Sequence, residues 1–282
     1  MSEQQMKPMS GERVIRARRG LMAIDFAELW RYRELFWQLS WRNVLIRYKQ
    51  TYLGVMWAVL QPLLTMVVFT VVFGKLAKMD SKGAPFEVFN FVALLPWMFF
   101  ANALTESSNS LVASQNMITK VYFPRLIIPA SAVLSGVLDF LIGCGLLAGL
   151  LVWFNVPPTW HLLMLPLFFG LTFLAALATG LWFSALNVKY RDVKYVVPFI
   201  VRMGIYISPV AFLADKFYGM AGVCYGLNPL VGIIEGFRWC ILGAGFEPHW
   251  DGLALGVGVV LLLLVSGVYY FRSTEKTFAD II

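Results

Sequence analysis

The sequence predicts an all-α integral membrane protein of six transmembrane helices, with an N-terminal amphipathic interface helix and short re-entrant helices on the outer side. Three observations lead there. The chain of 282 residues is 59% hydrophobic and only 14% charged, with a mean hydropathy of +0.71. A soluble domain carries roughly 25% charged residues. Six stretches stay mostly apolar over the ~20 residues that a helix needs to cross the hydrocarbon core. The basic residues, finally, are sorted to one side of those stretches.

The elements follow in order. Residues 1–27, "MSEQQMKPMSGERVIRARRGLMAIDFA", read as a flexible basic tail. No apolar core followed by a small-residue cleavage site occurs there, so the first span itself is expected to serve as the insertion signal. Residues 28–53 are too charged to span. Leu29, Tyr32, Leu35, Phe36 and Leu39 recur at helical spacing, while Arg31, Glu34, Gln38 and Arg42 fall on another side. That pattern predicts a helix along the inner surface, with Trp30, Trp37 and Trp41 at headgroup depth. A simple membrane anchor has the same composition.

Residues 54–272 hold the spans, at about 54–74, 91–110, 126–154, 161–187, 195–213 and 252–271. The first contains Gln61-Pro62. The proline removes a backbone donor, so a kink is expected there, with Gln61 helping to satisfy the freed carbonyls. Asn155-Val156-Pro157-Pro158 is a tight turn between the third and fourth spans. Residues 228–242 form a shorter element with Asn228 as N-cap, Pro229 in the first turn, and Glu235 and Arg238 as i,i+3 partners. Its rise of ~21 Å falls short of the ~30 Å core, so it is re-entrant or interfacial. Residues 273–282 are a C-terminal tail.

With the N-terminus inside, seventeen basic residues lie in inner segments and five in outer ones. The positive-inside rule therefore places both termini in the cytoplasm. Ten of the 23 Lys and Arg precede the first span. They account for much of the +7 net charge as a topology signal and a contact with anionic lipid, not with nucleic acid.

Enzymatic constellations are missing from the sequence. No G-x-x-x-x-G-K-[ST] loop is present, and Gly74-Lys75 lacks the rest of that motif. There is no Asp-x-Asp pair, and Cys144, Cys224 and Cys240 have no metal-ligand spacing. A Cys224–Cys240 disulfide in the outer segment stays open. His161 and His249 stand at outer helix ends as interfacial polar residues. No metal site and no catalytic residue is assigned.

Charge at depth is the stronger clue, because ionisable groups in the bilayer are costly and usually paired or functional. Asp139 and Arg202 both fall inside spans, and a pair between helices is expected. Backbone carbonyls or water are the alternative partners. Glu106 lies near the inner end of the second span. The loops "LVASQNMITKVYFPR" (residues 111–125) and "NVKYRDVKY" (residues 187–195) are either topology signals or a docking surface for a cytosolic partner.

Five ordered blocks then carry a resemblance: "LIRYKQTYLGVMWAVLQPLL", "MITKVYFPRLIIP", "LNVKYRDVKYVVPF", "ISPVAF" and "NPLVGIIEGFRW". Together they resemble the permease subunits of type-2 ABC exporters of polysaccharides, especially those for O-antigen and teichoic acid. The likeness covers residues 28–272 and leaves the first 27 unmatched. It implies a homodimer in the bacterial cytoplasmic (inner) membrane, bound to two copies of a separate cytosolic ATPase that holds ATP and Mg. This chain itself would carry no cofactor. The cargo implied is a glycan on polyprenyl diphosphate.

On that resemblance the residues Ser114, Gln115, Asn116, Met117, Ile118, Thr119 and Lys120 would form a coupling helix, and Arg31 and Arg33 would face the same ATPase. Arg42, Arg47 and Lys49 would attract the lipid diphosphate. Trp57, Trp97, Phe99, Phe100, Tyr206 and Phe212 would line the glycan path, since flat aromatic faces tolerate sugars. Lipid contact or interfacial anchoring explains the same aromatics. A capsular polysaccharide exporter, or an ion-coupled flippase working through Asp139 and Arg202, is the alternative function.

Overall fold

The computed structural model describes residues 30–49, 54–121, 123–214, 220–243, 245–275 and 278. The basic tail, most of the C-terminal tail and the joint at residues 50–53 lie outside the described residues. Among the described residues the regular structure is helical throughout, with no strand.

The segment expected along the inner surface forms α1, Arg33–Lys49, with Leu39, Ser40 and Val44 buried. The first span is α2, Gly54–Phe69, which passes through Pro62 and continues as π-helix over Thr70–Leu76. The Thr65 hydroxyl donates to the Gln61 carbonyl at 2.8 Å. The Gln61 side chain itself is exposed. Helix α3, Phe86–Ala113, is followed at once by the one-turn α4, Gln115–Ile118. The third span is two stacked helices, α5 (Ile127–Ser135) and α6 (Val137–Trp153), joined at Gly136.

After the predicted proline turn, a 3₁₀ turn at Trp160–Met164 leads into α7, Leu165–Lys189. Then come α8 (Val193–Ile207), α9 (Met220–Gly226), α10 (Pro229–Leu242) and α11 (Trp250–Glu275). Five of these helical runs are long and apolar enough to cross a membrane: 56–76, 86–113, 127–153, 160–189 and 250–275.

The stretch expected as a fifth crossing, residues 195–213, is different. Its helix α8 has 15 residues, a rise of about 22 Å against a core of ~30 Å. Ser208 is extended, with ψ 151°, because the ring of Pro209 excludes the helical conformation before it. Residues 210–214 then run as irregular chain, with Val210, Ala211 and Ala214 buried, and the carbonyls of Val210 and Phe212 accept from Arg238 of α10. The hydropathy of this stretch is real, but the backbone does not stay helical through it.

Helix α3 is the hub. It packs against α2, α5, α6, α7, α8 and α10, and 83% of its apolar window is buried. Small residues permit this crowding. A Cβ on Gly180 of α7 would stand 2.5 Å from the Ser107 hydroxyl of α3, so the two helices meet at a distance that only glycine allows there.

One end of the bundle gathers a separate apolar cluster of Leu111, Ile118, Phe123, Val188 and Phe271, with Tyr32 and Leu35 from the α1 side. Arg125 donates to the Glu275 backbone and carboxylate there, joining the start of α5 to the end of α11. The segments that the charge pattern assigns to one side of the membrane do meet at one end of the molecule.

The opposite end is organised by α10. Asn228 caps it as predicted, its side chain accepting from the Leu230 N–H at 3.1 Å. Arg238, 2% exposed, donates to the carbonyls of Val210 and Phe212 and lies 3.8 Å over the Phe89 ring. Glu235 accepts from both the backbone and the ring of His249. His161 sits between the indoles of Trp160 and Trp239, each 4.5 Å away. Both histidines therefore have structural partners. Cys224 is an exposed free thiol and Cys240 a buried one, so they are not bonded. Burial pushes the Cys240 thiol up to about 11.

Candidate functional site

A cavity of about 460 Å³ opens between α1, α2, α3 and α6. The last turn of α1 brings Arg47 and Tyr48 to its mouth. Trp57, Gln61 and Pro62 come from α2, and Gly136, Asp139, Phe140 and Gly143 come from the α5–α6 joint and α6. Helix α3 supplies one long stripe from Phe91 to Glu106, about 22 Å of helix at 1.5 Å per residue. Gly143 lets α6 close against that stripe, since a Cβ there would lie 2.4 Å from Leu95.

The cavity is polar at one end and apolar at the other. At the polar end, Arg47 and Tyr48 both donate to the carboxylate of Asp139. Arg47 also lies 3.6 Å from Glu106. The Arg47 and Asp139 side chains are 28% and 22% exposed, so this pair works in a partly dry site where Coulomb attraction exceeds its surface value. Burial first, and then the bond to Asp139, pushes the Tyr48 phenol well above its usual range, so it stays a neutral donor. Asn102 stands one turn before Glu106, exposed to the cavity. Beyond it the lining turns to Met98, Leu95, Leu94 and Phe91.

This corrects two expectations. Asp139 takes its partner from α1 and not from Arg202, which is exposed on α8. The interface helix is 92 residues away in sequence, and no local pattern links them. Arg47 is likewise not a free cation, because two carboxylates share it. Arg42 and Lys49 are exposed.

The aromatics divide by position. Trp97, Phe99 and Phe100 are buried at 4%, 3% and 8% exposure. Phe99 packs among Phe140, Phe169 and Phe173, and Trp97 against Phe100. As members of the crowded hub helix, Trp97 and Phe100 serve the core and not an open path; Phe99 also lines the cavity. Trp57 and Tyr206 remain 54% and 60% exposed, and Phe212 is half-buried under Arg238.

In the turn after α3, Gln115, Asn116, Thr119 and Lys120 are exposed, and Ser114 and Met117 are partly so. Ile118 is turned inward and pins the turn to the same apolar cluster as Tyr32 and Leu35. Arg31 and Arg33 are exposed nearby in sequence to those anchors, with Arg33 over the Trp30 ring. The result is a polar knuckle on an apolar root.

The pattern that describes the ABC-2 type transporter family matches residues 34–242. The O-antigen export system permease protein RfbA of Myxococcus xanthus is 28% identical over 256 residues, covering 90% of this chain and 97% of that protein. A Klebsiella pneumoniae protein of the same description is 25% identical over 242 residues, 86% of this chain and 92% of its own length. The polysialic acid transport protein KpsM of Escherichia coli is 22% identical over 243 residues, with 83% and 91% covered.

Proposed function

The chain belongs to the ABC-2 type transporter family, and from that premise we propose that it is the permease subunit of an ATP-driven exporter of lipid-linked, O-antigen-like polysaccharide. The end-to-end likeness to O-antigen permeases carries this reading, since one relative is matched over 97% of its length. Membership in the family makes it a bacterial membrane protein and the transport subunit of an ABC transporter whose ATPase is a partner. The finer assignments are ours: a homodimer in the cytoplasmic membrane, both termini inside, and two copies of the ATPase holding ATP and Mg.

The geometry supports division of labour within the subunit. The exposed knuckle from Ser114 to Lys120, with Arg31 and Arg33, offers polar contacts to a cytosolic protein. Its buried Ile118 transmits force to the ends of α3, α7 and α11. Arg42 and Lys49 draw the diphosphate to the inner surface, where cations favour such an anion. Arg47 instead fastens the interface helix to α6. The exposed aromatics Trp57 and Tyr206 stand on α2 and α8, which carry large exposed apolar faces for lipid or a second copy.

The test is reconstitution with the ATPase. Replacing Gln115, Asn116 and Lys120 together by alanine should leave the permease inserted and folded while abolishing ATP-driven export. Full export by that variant would remove the knuckle from the mechanism.

A further inference from the structure

The cavity also offers a specific set of groups beyond the Arg47–Asp139 pair. Trp57 and Gln61 lie one turn apart on α2, and Asn102 and Glu106 lie one turn apart on α3. All four line the same space and all four are exposed. The Asn102 and Gln61 amides have no hydrogen-bond partner among the described side chains or backbone groups. Glu106 keeps its oxygens largely open, its side chain being 56% exposed beside Arg47.

The charge balance decides what such a site takes. Two carboxylates, Asp139 and Glu106, face one guanidinium, so a diphosphate placed inside would meet a net negative wall. A hydroxyl-rich neutral ring suits it better. Each sugar hydroxyl both donates and accepts. A carboxylate only accepts, and a carboxamide does both. An indole face covers the ring's apolar C–H side. The volume lies within the ~300–1,000 Å³ of small-ligand sites. Polar partners end at Asn102, so the mouth serves one ring and not a chain.

We infer that this mouth is a binding subsite for a single pyranose, the sugar next to the diphosphate of the lipid-linked cargo, held by Glu106, Asn102, Gln61 and Trp57. The inference rests on the export reading above. On it, the diphosphate stays outside with Arg42 and Lys49, and the first sugar reports its identity to the joint that fastens α1. The Arg47–Asp139 pair forms the wall of the subsite, so occupancy is felt where the interface helix meets the bundle.

The experiment uses the permease–ATPase complex in lipid nanodiscs and two probes, polyprenyl diphosphate bearing one hexose and the same lipid without sugar. The unaltered complex should bind the sugar-bearing lipid about tenfold more tightly, the ratio that one charge-assisted hydrogen bond supplies. Glu106→Gln should erase most of that preference and Asn102→Ala a measurable part of it, each leaving affinity for the sugar-free lipid unchanged. Asn102→Ala disturbs no contact of Arg47, so it separates sugar recognition from the joint. Equal preference in the variants and the unaltered complex would overturn the subsite and leave the export reading standing. Binding of neither lipid by the unaltered complex would overturn both.

Discussion

Helices α2 and α3 are both apolar enough to span a membrane, yet 17% of one window and 83% of the other is buried within the subunit. Apolarity alone does not say which helix is a scaffold. What distinguishes α3 is the company of small residues, which let neighbours approach on every side as interfaces in lipid require. What distinguishes α2 is a run of exposed Met56, Trp57, Leu64, Val67 and Val68. One helix is completed by its own chain. The other waits for lipid, cargo or a second copy.

The largest effect should come from disturbing the hub. Gly180→Leu forces a branched side chain onto Ser107 and should cost about 1–3 kcal/mol or more, read as a lower unfolding temperature of the purified subunit. Next is the joint between α1 and α6. Arg47→Ala and Asp139→Ala should each destabilise, and the double variant should cost less than their sum by about 1 kcal/mol. Additive losses would break the claim that these two residues act as a pair.

Smaller again is Thr159→Val, which removes the hydroxyl bond to the Cys240 carbonyl and should cost about 0.5–1.5 kcal/mol. Val68→Ala on the open face of α2 should change the isolated subunit by less than about 0.5 kcal/mol. A thiol reagent that cannot cross membranes should modify exposed Cys224 in whole cells and spare buried Cys240, whose thiol is held up at about 11. Labelling of Cys240 first would contradict the packing of α10.

The same contrast explains how much was legible in the sequence. Long apolar runs located five helices long and apolar enough to cross a membrane, and Asn228-Pro229 located α10 with its cap, because those signals are local. The shortness of α8 was hidden, since Ser208-Pro209 stops the helix while the residues after it stay apolar. The partner of Asp139 was hidden for another reason. Arg47 and Tyr48 lie on a different helix, and only the tertiary fold brings them to it. The cavity is only faintly marked in sequence because its polar groups, Gln61, Asn102 and Glu106, are single residues scattered along apolar helices. In retrospect Asn102 and Glu106, one turn apart inside a predicted span, were a signal of a shared polar face.

Transport itself is the decisive measurement. Purified permease should be reconstituted with its ATPase in sealed vesicles, and movement of a lipid-linked glycan across the bilayer followed with and without ATP. Movement should require ATP and both subunits, and should stop when the knuckle from Ser114 to Lys120 is altered. Equal movement by the permease alone, without ATP, would overturn the export reading.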